Sequence, residues 1–139
     1  MEFSFMTKVN ATKEKIWEYY ADIQKWYVWE SDLKNITLHN GFMSGSTGVM
    51  ELEGMPPMEY TLTLVKEYQE FWDKTDTPFG SIYFGHEIIE NDVNSVNIKH
   101  IVKLETDIFN DEKLGFLKQV FSDVPDSIML LKSKVETNG

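Results

Sequence analysis

Apolar and polar side chains alternate along residues 2–9, with Phe3, Phe5 and Val9 on one side and Glu2, Ser4 and Lys8 on the other. A period of two marks a strand with one buried face, so the chain is expected to open on a strand. The period then lengthens. Ile16, Trp17, Tyr20 and Ile23 recur at helical spacing, and Asn10 or Thr12 stands where a cap is needed. Trp26 and Trp29 keep that spacing; as a separate short helical turn they would lay both rings on one face, whereas a strand would send them to opposite faces. From residue 30 to 106 short alternating runs take over. These include Ile36 and Leu38, Met50 and Leu52, then Tyr60, Leu62 and Leu64, followed by "QEFWDKT", "SIYFGHEIIE" and "SVNIKHIVKLE". After Ile108 the spacing becomes helical again. Leu114, Leu117, Phe121, Val124, Ile128, Leu131 and Val135 form the stripe of a long amphipathic helix, in which Pro125 should produce a kink or mark a junction.

The predicted order is one strand, two short helices, about six strands and a long helix. Strands in series without crossover helices imply an antiparallel sheet, and the terminal helix is available to cover its open face. One register follows from the sequence alone. "NDVN" joins two runs as a hairpin turn, and matching their apolar faces pairs Ile82 with Leu104, Phe84 with Val102 and Ile88 with Ile98. The same register sets His86 opposite His100 on the apolar face and Glu87 opposite Lys99 on the other.

Length and composition narrow the function. The 139 residues suggest a single domain, 1–139, and the 14% of aromatic side chains exceeds what most cores use, so rings are available to fill a core or line a pocket. A formal net charge of −10 repels phosphate backbones and argues against a nucleic-acid partner. There is no cysteine, hence no disulfide and no thiol nucleophile. No basic leader, basic membrane patch or apolar stretch of transmembrane length occurs, which implies a cytoplasmic protein with no membrane insertion.

The candidate chemistry is small. Two histidines side by side among apolar neighbours must find hydrogen bonds and are favoured as neutral rings. They form either a satisfied structural pair or a polar spot that orients a carbonyl or hydroxyl or passes a proton, and His86 and His100 are the candidate catalytic residues. His39 is the third histidine, and no metal-ligand spacing accompanies it. Asp73 is a further candidate if Phe71 and Asp73 face inward. If Trp72 faces inward instead, Asp73 is a surface acid, which is the expectation because lone carboxylates are seldom buried. Gly41, Gly45 and Gly48 lead into no helix and read as a turn, not a phosphate cradle.

Several segments carry a resemblance to a known family: "VNATKEKIWEYYADIQKW", "GFMSGSTGVM", "YTLTLV", "FGHEI", "VNIKHIVKLE" and the closing "DSIMLLKSKVE". Together they resemble the Bet v 1-like, START-related (SRPBCC) superfamily, in its polyketide cyclase/dehydrase-like branch. The resemblance implies an α+β helix-grip fold, with a curved antiparallel sheet wrapped around a long C-terminal helix and two short helices after the first strand. It also implies a cavity between sheet and helix. Trp26, Trp29, Met50, Leu52, Tyr60, Leu62, Phe84, His86, His100 and Phe121 are the residues expected to line it. The leading expectation is binding of a small, largely apolar or amphiphilic molecule by a monomer or homodimer, without cofactor or metal. The alternatives are a cyclase/dehydrase-like enzyme using the two histidines, and a partner-binding module of the chaperone-activator type that acts through its surface.

Overall fold

In the computed structural model, which describes residues 1–138, the alternating start forms β1 (Glu2–Val9) and the helical spacing forms α1 (Lys13–Ala21). Thr12 is the cap: its side chain accepts from the Lys15 backbone N–H. A 3-10 turn (Ile23–Lys25) leads into α2 (Trp26–Trp29), the separate short turn expected for the two tryptophans. Six further strands follow: β2 (Leu33–Leu38), β3 (Thr47–Leu52), β4 (Met58–Lys66), β5 (Glu70–Thr77), β6 (Gly80–Asp92) and β7 (Ser95–Glu105). All seven join one antiparallel sheet in the order β1-β7-β6-β5-β4-β3-β2, so the first strand pairs with the last and every other contact is a hairpin.

The β6–β7 register is the predicted one: Ile82 opposes Leu104, Phe84 opposes Val102, His86 opposes His100, Glu87 opposes Lys99 and Ile88 opposes Ile98. Register shifts at Leu33/Asn35, Leu62/Leu64 and Glu90/Asp92 bend the sheet, which curves around the C-terminal helix.

That helix is long but divided. It comprises α3 (Asp111–Phe121) and α4 (Val124–Asn138), whereas the apolar stripe alone implied one helix from Ile108 onward. Ile108 and Phe109 are exposed and precede α3, whose true start is set by Asn110, with its side chain accepting from the Lys113 N–H. Pro125 marks the junction. It sits in the first turn of α4, where a missing backbone donor breaks no helical bond.

Each half covers its own cluster on the inner face of the sheet. Leu117 of α3 packs with Ile82, Val102 and Leu104. Ile128, Leu131 and Val135 of α4 pack with Val9, Ile16, Tyr20, Trp29, Phe71, Val96 and Ile98. Each of these fully buried aliphatic side chains contributes about 1.5–3 kcal/mol.

Candidate functional site

The two tryptophans hold the helical end of the site together. α1 ends at Ala21, which leaves its last carbonyls without helical partners. Trp26 Nε1 donates to Tyr20 O at 2.9 Å and Trp29 Nε1 to Tyr19 O at 3.3 Å, so the indoles satisfy two of those carbonyls from α2. Their rings lie 5.7 Å apart and both are buried. One face of each is turned to the sheet: Trp26 stacks on Phe71 at 5.5 Å, and Trp29 lies 5.6 Å from His100 and 5.8 Å from His86.

Beneath these rings the strands place both histidines on the inner face, 4.8 Å apart between ring centres. His100 Nε2 and the Tyr20 hydroxyl are 2.8 Å apart and share a hydrogen bond. His86 Nδ1 lies 3.2 Å from Phe71 O, a carbonyl that only accepts, so this nitrogen carries the proton and Nε2 is left as an acceptor. The His86 ring also stacks on Phe71 at 3.9 Å. Burial holds both rings neutral. It lowers the His86 pKa to about 3 against a smaller opposing effect of Phe71 O, and it lowers that of His100 well below the usual value, with the neighbouring His86 adding to the shift. Burial likewise raises the Tyr20 phenol, which stays protonated. The result is a polar centre of three neutral groups inside a wall of rings.

Asp73 corrects the expectation of a surface acid. It is 3% exposed, on the inner face with Phe71, and Trp72 takes the outer face. The cause stands across the hairpin, where Trp72 opposes Gly85. A Cβ there would lie 2.5 Å from the Trp72 ring, so only glycine lets the indole lie flat outside and the parity of β5 is decided. Asp73 Oδ1 finds no hydrogen-bond partner among the described residues, and burial raises its pKa to about 8. Glu30, directly after α2, shares this state. Solvent reaches part of the residue, yet its carboxyl is deep enough for burial, and then the charges of Asp32, Asp73 and Asp123, to raise its pKa to about 8.

The structure gathers Trp26, Trp29, Tyr60 and Leu62 in the cluster under α4, with Met50 and Leu52 packed at its margin and His86 and His100 against Trp29. Phe84 and Phe121 are elsewhere, in the α3 cluster. Sequence reasoning missed Tyr20 as a polar partner, Phe71 as the stacking ring and Glu30 as a half-buried acid. Gly48 supplied one unread signal: it opposes Tyr60, and a Cβ there would come within 2.8 Å of that ring. The missing side chain lets Tyr60 lie across β3 and donate to Thr37 O at 2.8 Å.

Where a cavity was expected, rings touch one another, with Tyr20 5.1 Å from Phe71 and 5.7 Å from Trp29. Two clefts open elsewhere. One of about 440 Å³ lies between Thr77–Ser81 and Glu105–Lys113, and another of about 390 Å³ lies beside Pro57, Thr61 and Lys74. Neither contains a residue expected to line the cavity. Among the described residues no cluster of three or more histidines or acids is placed to hold a metal ion, and no helix is long and apolar enough to cross a membrane.

No family model matches the sequence, and no curated protein matches it either. Solved structures do match over nearly the whole chain. An uncharacterised protein from Bacillus thuringiensis superposes with a TM-score of 0.77 at 11% identity, covering 97% of this chain and 98% of that one. Norcoclaurine synthase from Thalictrum flavum gives 0.75 at 10% identity, covering 97% and 92%. Ara h 8.0201 gives 0.66 at 10% identity, covering 97% of each. The chain has the Bet v 1-like helix-grip fold. Identities this low establish the fold alone, and the Bet v 1-like scaffold hosts more than one function.

Proposed function

We propose that this Bet v 1-like protein binds a small, largely apolar or amphiphilic molecule between the sheet and α4, with the molecule's polar group held by Tyr20, His86 and His100. The observation that carries the reading is the neutral Tyr20–His100–His86 centre beneath the Trp26 and Trp29 rings. Purely structural packing would be served as well by phenyl rings, without the cost of burying three polar groups. Norcoclaurine synthase, crystallised with dopamine and hydroxybenzaldehyde, supports it as an example of small aromatic molecules held by this fold. Entry requires the rings of α2 to swing aside, and α2 is a four-residue helix whose start has no side-chain cap.

The test is a panel of lipophilic compounds followed by thermal melting and tryptophan fluorescence. A ligand at a hundredfold excess over its dissociation constant adds about 2.7 kcal/mol, enough for a clear rise in melting temperature. Trp26 and Trp29 emission should shift with it. A broad panel that moves neither signal would support the partner-binding module instead, the reading favoured by the ring-filled inner face. An enzymatic reading is favoured by Asp73, whose carboxyl, pushed up to about 8 by burial, keeps a proton at neutral pH as a general acid requires. It predicts turnover of a carbonyl substrate that is lost in Asp73→Asn.

A further inference from the structure

The polar centre leaves Asp73 unused. A carboxyl oxygen that is buried and without a donor is costly, and folded chains seldom retain one without a reason. In register Asp73 stands between Leu62 of β4 and Phe84 of β6, two positions along from Phe71 on the same face. Glu30 follows α2 directly, and its carboxyl feels the charges of Asp32, Asp73 and Asp123. Tyr60, which feels the charge of Asp73, lies 6.3 Å from the Trp26 ring, and Phe71 lies 5.5 Å from it. Glu30, on the α2–β2 connection, is thus within charge range of acids on β5 and at the α3–α4 junction. Among the described residues no lysine forms an ion pair with any of these four acids, and the chain contains no arginine.

We propose that this is the binding site for a primary or secondary ammonium group carried on an apolar body, with Asp73 as its ion-pair partner, Glu30 as a second acceptor and Trp26 as a flanking ring. The inference rests on the reading of a ligand held between sheet and α4, and it adds the ligand's chemical class: a basic nitrogen, held apart from any polar group that reaches Tyr20, His86 and His100. An ammonium brings only donors, which is what an orphan carboxyl oxygen lacks. A cation is also attracted to the face of an indole. The net charge of −10 draws cations toward the protein and turns carboxylates away. Raised to about 8, Asp73 and Glu30 keep their protons at neutral pH. An arriving ammonium favours the carboxylate, and the displaced proton leaves to the buffer.

The experiment is calorimetric titration at neutral pH with three compounds sharing one apolar body: phenylbutylamine, phenylbutanol and phenylbutanoate. The expected result is that the amine binds about tenfold or more tighter than the alcohol, in keeping with a charge-assisted hydrogen bond, and that the acid binds weakest. In Asp73→Asn the amine should fall to the level of the alcohol, and in Glu30→Gln its preference should shrink. The two variants are read independently, so a failure of either to fold leaves the other to decide. Equal affinity for amine and alcohol in the wild-type chain, or an amine preference left undiminished in whichever variant folds, overturns the ammonium site while leaving the ligand-binding reading intact. If none of the three compounds binds, the ammonium site falls, and the ligand-binding reading is decided separately by the broad lipophilic panel.

Discussion

Tyr20 and His100 meet through one buried hydrogen bond, so each can be removed with the other left behind. Tyr20→Phe should destabilise the protein by about 1–3 kcal/mol because it strands a ring nitrogen, and His100→Phe should do the same because it strands a hydroxyl. The double variant strands neither and should be less destabilised than the sum of the two. Denaturant melts of the three variants check this, and losses that simply add would show that the bond is not what couples them. The pairing of the histidines is legible in the sequence because two apolar strands joined by a short turn allow only one register that buries both faces. The burial of Asp73 is not. Phe71 and Trp72 are adjacent large rings, so hydrophobic alternation cannot choose between them, and the deciding residue, Gly85, lies on the next strand. Glu30 escapes notice for a related reason: it follows "WYVW", and a helix of four residues is too short for periodicity to show which way the next side chain turns.

At the scale of elements, strands and helices are readable wherever one face is buried and the other wet. The break between α3 and α4 is harder to see. Leu117, Phe121, Val124 and Ile128 keep a spacing of three or four across it, because both halves bury their stripe against the same sheet. Only Pro125 signals it. Truncation of the chain at Ile108 should abolish cooperative folding, since it strips the cover from both clusters, and Leu117, Ile128, Leu131 and Val135 are each 0% exposed. Circular dichroism during heating checks this: a truncated chain with a sharp unfolding transition would mean that the C-terminal helices are not needed to hold the sheet.

Over the whole molecule, the buried titratable groups set how stability depends on pH. Asp73 and Glu30 have pKa values raised to about 8, so the native state keeps protons that the unfolded chain releases. Their contribution is full below about pH 4 and is lost as pH rises toward 8. His86, lowered to about 3, and His100, lowered well below its usual value, act oppositely. Their contribution is full above about pH 6.5 and is lost as pH falls toward 3. The two effects offset each other between about pH 4 and 6.5, and above that only the carboxyls act. Denaturant midpoints should therefore form a plateau at mildly acidic pH and decline from 6.5 to 8, by up to about 1.4 kcal/mol per pH unit for Asp73 and by less for the partly exposed Glu30. Asp73→Asn should flatten the decline, and a midpoint that climbs from pH 6.5 to 8 would contradict the assignment. The divided C-terminal helix carries a consequence of a different kind. The apolar cluster under α3 is built of aliphatic and phenyl side chains, while the histidines and Tyr20 lie in the compartment under α4. One half of the interior is thus a foundation and the other an interchangeable fitting, so a lineage could acquire a new specificity by rewriting the second without renegotiating the first.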